Sequence, residues 1–167
     1  MKKIIFLLFF TLVSINANAG CDDPIGDGVD YTNCRFSDGQ DLAGSYLPNS
    51  NLSFSSFIQV NFDKSIMMNS VLAFGTFSES SFIRANLYEA NLQGGNFELA
   101  NFTSANLTRV NLKGATLIGA DFKNSNLIGA NFTSANILDA KFEGANLNEA
   151  VWTDGRLCGN NSIGVCN

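Results

Sequence analysis

The sequence has 167 residues, 46% of them hydrophobic, which suits one domain with a sizeable core. Fifteen acidic residues outnumber ten basic ones, the net charge is −5, and histidine is absent. The absence of histidine removes the commonest general base and metal ligand, and the scattered basic residues do not form a nucleic-acid-binding patch. We therefore expect no enzymatic activity, no cofactor, no metal and no nucleic-acid partner.

Residues 1–19 have the pattern of a secretory signal peptide. Two lysines precede a largely apolar run over residues 4–13, and Ala17 and Ala19 are spaced as in a cleavage site. A run of this length is too short to span a bilayer. The pattern predicts an exported protein, periplasmic or extracellular, without a membrane span.

Cys21 allows an alternative, because Ala19-Gly20-Cys21 also resembles the end of a lipoprotein cleavage box. Asn18 stands three residues before Cys21, where such boxes have Leu or another apolar residue, and a lipid on Cys21 would leave one of four cysteines without a partner. A soluble exported protein is favoured. Anchoring through a lipidated Cys21 stays open.

Residues 20–41 predict an amino-terminal cap that is strongly acidic. Six of its residues are Asp, against the single basic residue Arg35. Four of the carboxylates could offer oxygen ligands to Ca²⁺, namely Asp22, Asp23, Asp27 and Asp30. Their spacing is not that of an EF-hand loop, so a solvated acidic cap without metal is the preferred interpretation.

Residues 42–157 repeat one five-residue pattern. Residues 86–115 read NLYEA NLQGG NFELA NFTSA NLTRV NLKGA, and every fifth residue from Leu42 to Leu157, 24 positions in all, is a large apolar residue. The residue two positions earlier is almost always Ala, Ser or Gly. A period of five fits neither a helix nor a strand and indicates a repeat architecture. We expect the large and small residues to face inward and the other three to face water.

This pattern resembles the pentapeptide repeat family, whose signature A(D/N)LXX is matched by Ala85-Asn86-Leu87, Ala105-Asn106-Leu107 and Ala130-Asn131-Phe132. The resemblance implies an all-β fold, a right-handed quadrilateral β-helix with four units per coil and about six coils. Residues twenty apart would then stack, as the columns Phe62, Phe82, Phe102, Phe122, Phe142 and Leu87, Leu107, Leu127, Leu147 indicate. Asn86, Asn106, Asn126 and Asn146 are expected to form an amide ladder.

Glycine often stands two residues after the large one, at Gly94, Gly114, Gly119, Gly129 and Gly144. A type II turn needs a positive φ at that position. Units that lack Gly or Asn there are expected to use another turn type.

Four cysteines in an exported chain allow three pairings. On the rod that the resemblance implies, two cysteines precede the first coil and two follow the last, too far apart for a bridge between the ends. We therefore expect Cys21–Cys34 and Cys158–Cys166, which would hold caps at residues 20–41 and 158–167. Six residues rather than five separate Phe36 from Leu42, so one residue near Gln40 is expected to bulge out.

The function must then reside on the outer surface. The family includes gyrase-protecting proteins that mimic DNA, but residues 42–157 hold nine acidic and seven basic side chains and cannot present a long negative surface. We predict a secreted or periplasmic, non-enzymatic protein-binding scaffold. The alternative is a structural cell-envelope protein, lipid-anchored through Cys21.

Outward apolar residues give a candidate partner surface near the amino end: Phe54, Ile58, Ile66, Met68, Val71 and Phe74. A contiguous apolar patch is typical of an interface. Leu99, Ile118 and Leu138 predict a weaker ribbon. The alternative is that the amino-terminal cap covers the first cluster. The partner would be an unidentified protein or a second copy in a homodimer.

Overall fold

The computed structural model describes residues 20–167, so the predicted signal peptide at residues 1–19 lies outside the described residues. The described chain forms a stack of coils held by single parallel β-bridges, from Asp30–Asn51 to Asn131–Val151. No helix and no continuous strand occurs between residues 20 and 167. The β structure is therefore made of one short bridge per unit, repeated along the rod.

The bridges establish the register between coils. Residues joined by parallel bridges are twenty apart from Asp41–Asn61 onward, but twenty-one apart in Arg35–Ser56 and in the bridge before it. Twenty residues correspond to four units of five, one on each face of a square coil. The extra residue lies between Arg35 and Asp41, which confirms the predicted bulge near Gln40.

Hydrogen bonds between coils run along the rod axis. In the unit centred on Leu87, the N–H groups of Leu87 and Glu89 donate to the carbonyls of Asn106 and Thr108 in the next coil, at 2.8 and 3.0 Å. The N–H of Ala90 donates to the carbonyl of Leu87 at 3.0 Å and closes the turn. The same pattern recurs from unit to unit, so each coil imposes its backbone shape on the next.

The large inward residues form the core as the sequence predicts. The ring centroids of Phe62 and Phe82 are 5.1 Å apart with nearly parallel planes, and the column continues through Phe102 to Phe122. The small inward positions are buried too, Ala105 among them. Little space remains beside the large side chains, which explains why the small positions are mostly Ala, Ser or Gly.

The turns contradict the expectation of mixed turn types. The second residue after the large one has a positive φ in every unit from Gly44 to Glu149, including Lys64 at 59° and Leu99 at 57°. The N–H of Lys64 donates to the carbonyl of Ile83 in the next coil at 2.9 Å, so a turn of another shape would break the register between coils. None of these turn residues is Val, Ile or Thr, the types that a positive φ strains most.

The asparagines act chiefly inside their own unit. Oδ1 of Asn86 accepts the backbone N–H of Tyr88 at 3.2 Å, the arrangement of an Asx turn. Nδ2 of Asn106 also donates to Oδ1 of Asn86 at 3.0 Å, which is one step of the predicted ladder. Asn126 and Asn146 accept the N–H two residues further on. Asn occupies this position mainly because its side chain fixes the turn, and the ladder adds a second interaction.

The coils begin inside the region that the sequence assigns to the amino-terminal cap. Tyr31 and Phe36 are buried at the large position, and the ring of Phe36 stacks on that of Phe57 with centroids 4.3 Å apart. Cys21 and Cys34 form a disulfide with a Cα–Cα distance of 5.6 Å. The predicted cap boundary at residue 41 is therefore about two units too late.

The regular repeat ends at Trp152. The chain then reverses and forms antiparallel bridges, Val151–Leu157 and Asn146–Ile163. Leu157 is 65% exposed, so the prediction that it fills the last inward position is wrong. The N–H of Trp152 donates to the carbonyl of Arg156 at 2.8 Å and closes a turn that carries Leu157 out of the core.

We call residues 153–167 the tail. Cys158 and Cys166 in the tail form a disulfide with a Cα–Cα distance of 4.9 Å. The tail thus begins five residues before the predicted cap at residue 158, and it returns over the end of the rod.

Candidate functional site

Two phenylalanine side chains form the most prominent feature of the outer surface, and we call them the aromatic corner. Phe54 and Phe74 are 58% and 52% exposed, with ring centroids 5.4 Å apart and planes inclined by 13°. Both occupy the turn position with φ of 58°, one coil apart. This position lies where the chain bends from one face to the next, so its side chain projects from the rod.

Glycine makes room for this stack. Gly94 occupies the same column one coil beyond Phe74, and a Cβ added there would come 2.5 Å from Cε1 of Phe74. The Phe74 ring therefore leans along the rod axis over Gly94, and the Phe54 ring stacks on the other side of it. Three successive coils determine the geometry of the aromatic corner.

The other predicted surface residues are spread over several faces. Ile66 is exposed, whereas Ile58, Met68 and Val71 are half-buried. Ile66 and Met68 flank Met67 on one face, Val71 belongs to the next face, and Ile58 to a third. Of the six candidates, the structure brings only the rings of Phe54 and Phe74 into stacking contact.

The amino-terminal cap leaves the aromatic corner open. It stacks on the end of the rod through the bridges Asp30–Asn51 and Arg35–Ser56 and does not fold along the side. The alternative that this cap covers the cluster is therefore wrong. The predicted rings stay accessible with respect to residues 20–167.

Tyr46 is an exposed aromatic residue that the sequence interpretation missed. It lies in the column of Ile66, to which it is bridged, and it is more exposed than Ile66. The sequence signal for this residue was its spacing from Ile66, which is twenty residues, or one coil.

Leu99, Ile118 and Leu138 of the weaker ribbon lie on one face in three successive coils. Leu99 leans over Gly119, where an added Cβ would come 2.7 Å from its Cδ2. The N–H of Gly119 donates to the carbonyl of Leu138 at 2.8 Å, so the ribbon passes from Leu99 to Leu138 across adjacent coils. Leu99 and Leu138 are both exposed.

The charged groups make local interactions. Arg109 forms an ion pair with Glu89 at 3.2 Å. Hydrogen bonds from Tyr88 and Arg109 lower the pKa of Glu89. Because both partners are exposed, the pair contributes little stability. In the acidic cap Asp27 accepts Nδ2 of Asn49 at 2.9 Å, and hydrogen bonds from Thr32 lower the pKa of Asp30. Over residues 20–167, no group of three or more acidic or cysteine side chains is arranged to hold a metal ion.

The same part of the chain contains no helix long and apolar enough to cross a membrane.

Burial raises the pKa of Tyr31, whose hydroxyl donates to the carbonyl of Asp23 at 2.7 Å inside the amino-terminal cap. This hydrogen bond ties the first residues of the cap to the first coil.

The family model named Pentapeptide repeats matches eight copies in the chain, over residues 41–73, 80–117 and 111–148. Among curated proteins, none matches the sequence significantly.

Among the solved structures that resemble the chain are two pentapeptide repeat proteins. HetL, a pentapeptide repeat protein involved in heterocyst differentiation regulation from the cyanobacterium Nostoc sp. strain PCC 7120, is 23% identical with a TM-score of 0.65, over 80% of this chain and 65% of HetL. A pentapeptide repeat protein from the thylakoid lumen of Arabidopsis thaliana is 33% identical with a TM-score of 0.53, over 61% of this chain and 68% of its own. The chain thus spans slightly less than two thirds of HetL. These likenesses show the fold, a right-handed quadrilateral β-helix.

Proposed function

The chain belongs to the pentapeptide repeat family, and from this premise we propose that it is an exported scaffold that binds a partner protein through the aromatic corner. The family has a non-catalytic repeat fold, and its members are generally structural or interaction proteins. The observation that carries the proposal is the stack of two exposed rings, Phe54 and Phe74, in a turn column whose later residues are Gly94, Gly114 and Ser134.

The physical argument starts from the rigidity of the turn. Phe54 and Phe74 each donate a backbone N–H to the next coil, to the carbonyls of Ala73 and Gln93 at 3.0 and 2.9 Å. A partner that covers the rings gains about 25 cal/mol per Å² of apolar surface and immobilises little that is not already ordered. Aromatic anchors of this kind dominate binding energy at protein interfaces.

The length of the rod suits a scaffold. The twenty-residue register supports about six coils, and at about 4.8 Å per coil the stack is on the order of 29 Å long. The aromatic corner lies in its first half and the ribbon ending at Leu138 in its second half. The aromatic corner and the ribbon are therefore separate surfaces, and the partner proposed here contacts only the aromatic corner.

Export is supported by two observations. Residues 1–19 have the pattern of a signal peptide, and all four cysteines form disulfides, which persist in oxidising compartments. The protein would therefore function in the periplasm or outside the cell. Mass spectrometry of the exported protein tests this, with an amino terminus near Gly20 as the expected result.

The lipid-anchored alternative is disfavoured by the chemistry of Cys21. Its sulfur is bonded to Cys34 and the residue is buried, so a thioether to a lipid would require loss of that bridge. An acylated Cys21 in the same mass spectrum would support an anchored envelope protein instead.

The binding test uses residues 20–167, oxidised and immobilised, with proteins from the exported fraction of the native cell. We expect a partner that is retained by the unchanged protein and lost when Phe54→Ser and Phe74→Ser are combined. The matched control is Leu99→Ser, which removes an equally exposed apolar side chain at the same turn position on another face.

Thermal unfolding separates binding from stability. Since both rings are largely exposed, the double variant should melt within a few degrees of the unchanged protein. A large fall in melting temperature with the partner still bound would identify the rings as structural and would refute the proposed site.

A further inference from the structure

One column of outward residues changes from apolar to asparagine along the rod. Tyr46 is bridged to Ile66, and Ile66 to Asn86, so the three lie in one column in successive coils. Tyr46 and Ile66 are 54% and 36% exposed. The later residues of the column are all asparagine, namely Asn86, Asn106, Asn126 and Asn146. We call the face that holds this column the Tyr46 face.

The amino-terminal cap extends the apolar part of this column by one residue. The N–H of Gly28 donates to the carbonyl of Pro48 at 2.9 Å, which is the bond that a turn residue makes to the next coil. Gly28 therefore holds the turn position of the Tyr46 face, and Ile25 stands three residues before it, as Tyr46 does in its own unit. Ile25 is 42% exposed. We call Ile25, Tyr46 and Ile66 the apolar strip, and a contiguous exposed strip is typical of an interface.

Two basic residues flank the apolar strip on one side. Lys64 and Arg84 occupy the turn that leads into the Tyr46 face, in successive coils, each with a φ of 59°. Both are exposed, and neither forms an ion pair with any residue from 20 to 167. Because successive coils are about 4.8 Å apart, the two like charges repel each other. An acidic group from another molecule would stabilise both.

The acidic cap lies at the other end of the apolar strip. Its residue Asp23 stands two positions before Ile25 and is exposed. The backbone of Asp23 is fixed to the first coil, since its carbonyl accepts the hydroxyl of Tyr31 at 2.7 Å. The order along the Tyr46 face is therefore acid, apolar strip and base. A surface with this order is complementary to a reversed copy of itself.

We propose that a second copy of this chain packs on the Tyr46 face in the antiparallel direction. A twofold axis that crosses the rod at Tyr46 places this residue against its counterpart. Ile25 then faces Ile66 of the other copy, because each lies one coil from Tyr46. Lys64 faces the acidic cap of the other copy near Asp23. This contact is isologous and closed, so it yields a dimer and not a fibre.

Charge favours this arrangement over a parallel pair and over a lipid surface. A parallel pair would place two acidic caps side by side, each with six Asp and one Arg. An anionic lipid surface would attract Lys64 and Arg84 but repel the cap beside them. Since exposed ion pairs contribute little affinity, the apolar strip supplies the binding energy and the charges determine the orientation.

The Tyr46 face is separate from the aromatic corner of the proposed function. Phe54 and Phe74 lie at the turn diagonally across the rod from Lys64 and Arg84, so the dimer leaves both aromatic corners free. Failure of the dimer would not affect the aromatic corner, and the two proposals are tested by different variants.

The first test is sedimentation equilibrium of oxidised residues 20–167 over a hundredfold range of concentration. We expect a dimer that Tyr46→Lys and Ile66→Lys each weaken at least tenfold. Leu99→Lys changes an equally exposed apolar residue at another turn, and this control should keep the dimer. Circular dichroism confirms that each variant folds. A monomer at every concentration, or a dimer that both Tyr46→Lys and Ile66→Lys leave unchanged, would overturn the proposal.

A single added cysteine tests the position of the twofold axis. Tyr46→Cys should join two copies through a disulfide under mild oxidation, because the axis places this residue beside its counterpart. Asn126→Cys lies four coils further along the same column and is the matched control. No cross-link at residue 46, or equal yields at both positions, would mean that the copies meet elsewhere and would contradict the proposed axis.

A charge exchange tests the antiparallel direction. Lys64→Glu should weaken the dimer at least tenfold, and adding Asp23→Lys should restore it. Glu is tolerated at this turn position, since Glu79 and Glu89 have φ of 58° and 55°. Lys113→Glu makes the same change in net charge on another face and should have no effect. An equal loss in this control, or no rescue by the exchange, would refute the arrangement.

Discussion

The ring of Phe74 lies over Gly94, one coil further along the rod, so closely that a Cβ on Gly94 would come 2.5 Å from Cε1 of the ring. Gly94 has a φ of 64°, within the range of the other turn residues. Its lack of a side chain is therefore needed for the ring above it as well as for the turn. The aromatic corner depends on this pair.

We expect Gly94→Ala to destabilise the protein more than Gly114→Ala. Gly114 has a similar φ of 66° but no atom within 4 Å of an added Cβ, so alanine there experiences only the left-handed strain of about 1–2 kcal/mol. At Gly94 the displaced ring also loses its stacking on Phe54, about 1 kcal/mol more. Urea denaturation measures the free energy of unfolding of each variant.

Removing the ring isolates this contact. In a protein that carries Phe74→Ser, the cost of Gly94→Ala should fall to that of Gly114→Ala. An unchanged cost would mean that the ring does not rest on Gly94 in solution.

Two buried serines at the small inward position should respond in opposite ways to alanine. The hydroxyl of Ser65 has no hydrogen-bond partner among residues 20–167, whereas that of Ser70 donates to the carbonyl of Met67 at 2.6 Å. An unsatisfied buried hydroxyl costs about 1–3 kcal/mol, and a satisfied one contributes about 0.5–1.5 kcal/mol. We expect Ser65→Ala to raise the melting temperature and Ser70→Ala to lower it. A loss in both would show that Ser65 has a partner.

The distinction between inward and outward positions can be tested in one unit. Ala105 is buried, and Ala105→Leu should cost about 1–3 kcal/mol because the core has no space for three more carbons. Thr103 faces outward and is only half-buried, so Thr103→Leu should be nearly neutral. Thermal unfolding compares the two. Equal losses would contradict the assignment of the two positions.

Reduction of the disulfides should loosen the ends before the middle. Cys21–Cys34 and Cys158–Cys166 each close a short loop at one end, worth about 2–3 kcal/mol, and each coil contacts mainly its neighbours. Amide hydrogen exchange of the reduced protein should therefore accelerate around Tyr31 and in the tail, and stay slow around Leu107. Peptide mapping that joined Cys21 to Cys166 would be incompatible with the rod.

Much of the fold could be predicted because one unit repeats. The spacing of the large residues indicates the family, and with it the coil, and the extra residue before Leu42 indicates the bulge. The uniform turns could not be predicted from single units, because Lys64 or Leu99 alone does not favour a positive φ. Hydrogen bonds to adjacent coils impose it. For the units without glycine or asparagine, the absence of Val, Ile and Thr from this position was the available signal.

The ends were harder to predict for a related reason. Leu157 keeps the five-residue spacing, yet the chain has already turned back at Gly155. This glycine occupies the small position, as Gly75 and Gly95 do within the rod, but it has a φ of 87°. The sequence also predicted only part of the candidate surface correctly. Residues close in sequence, such as Ile66 and Phe74, lie on different faces, whereas Phe54 and Phe74 meet because they are one coil apart.

The twenty-residue register restricts how this protein can change length. Deletion of a single five-residue unit would rotate everything beyond it by a quarter turn, so the aromatic corner and the tail would no longer keep their relative direction. Deletion or insertion of a whole coil would preserve every side chain on its face and change only the distance between the two surfaces. Insertions and deletions that preserve function are therefore expected in multiples of twenty residues.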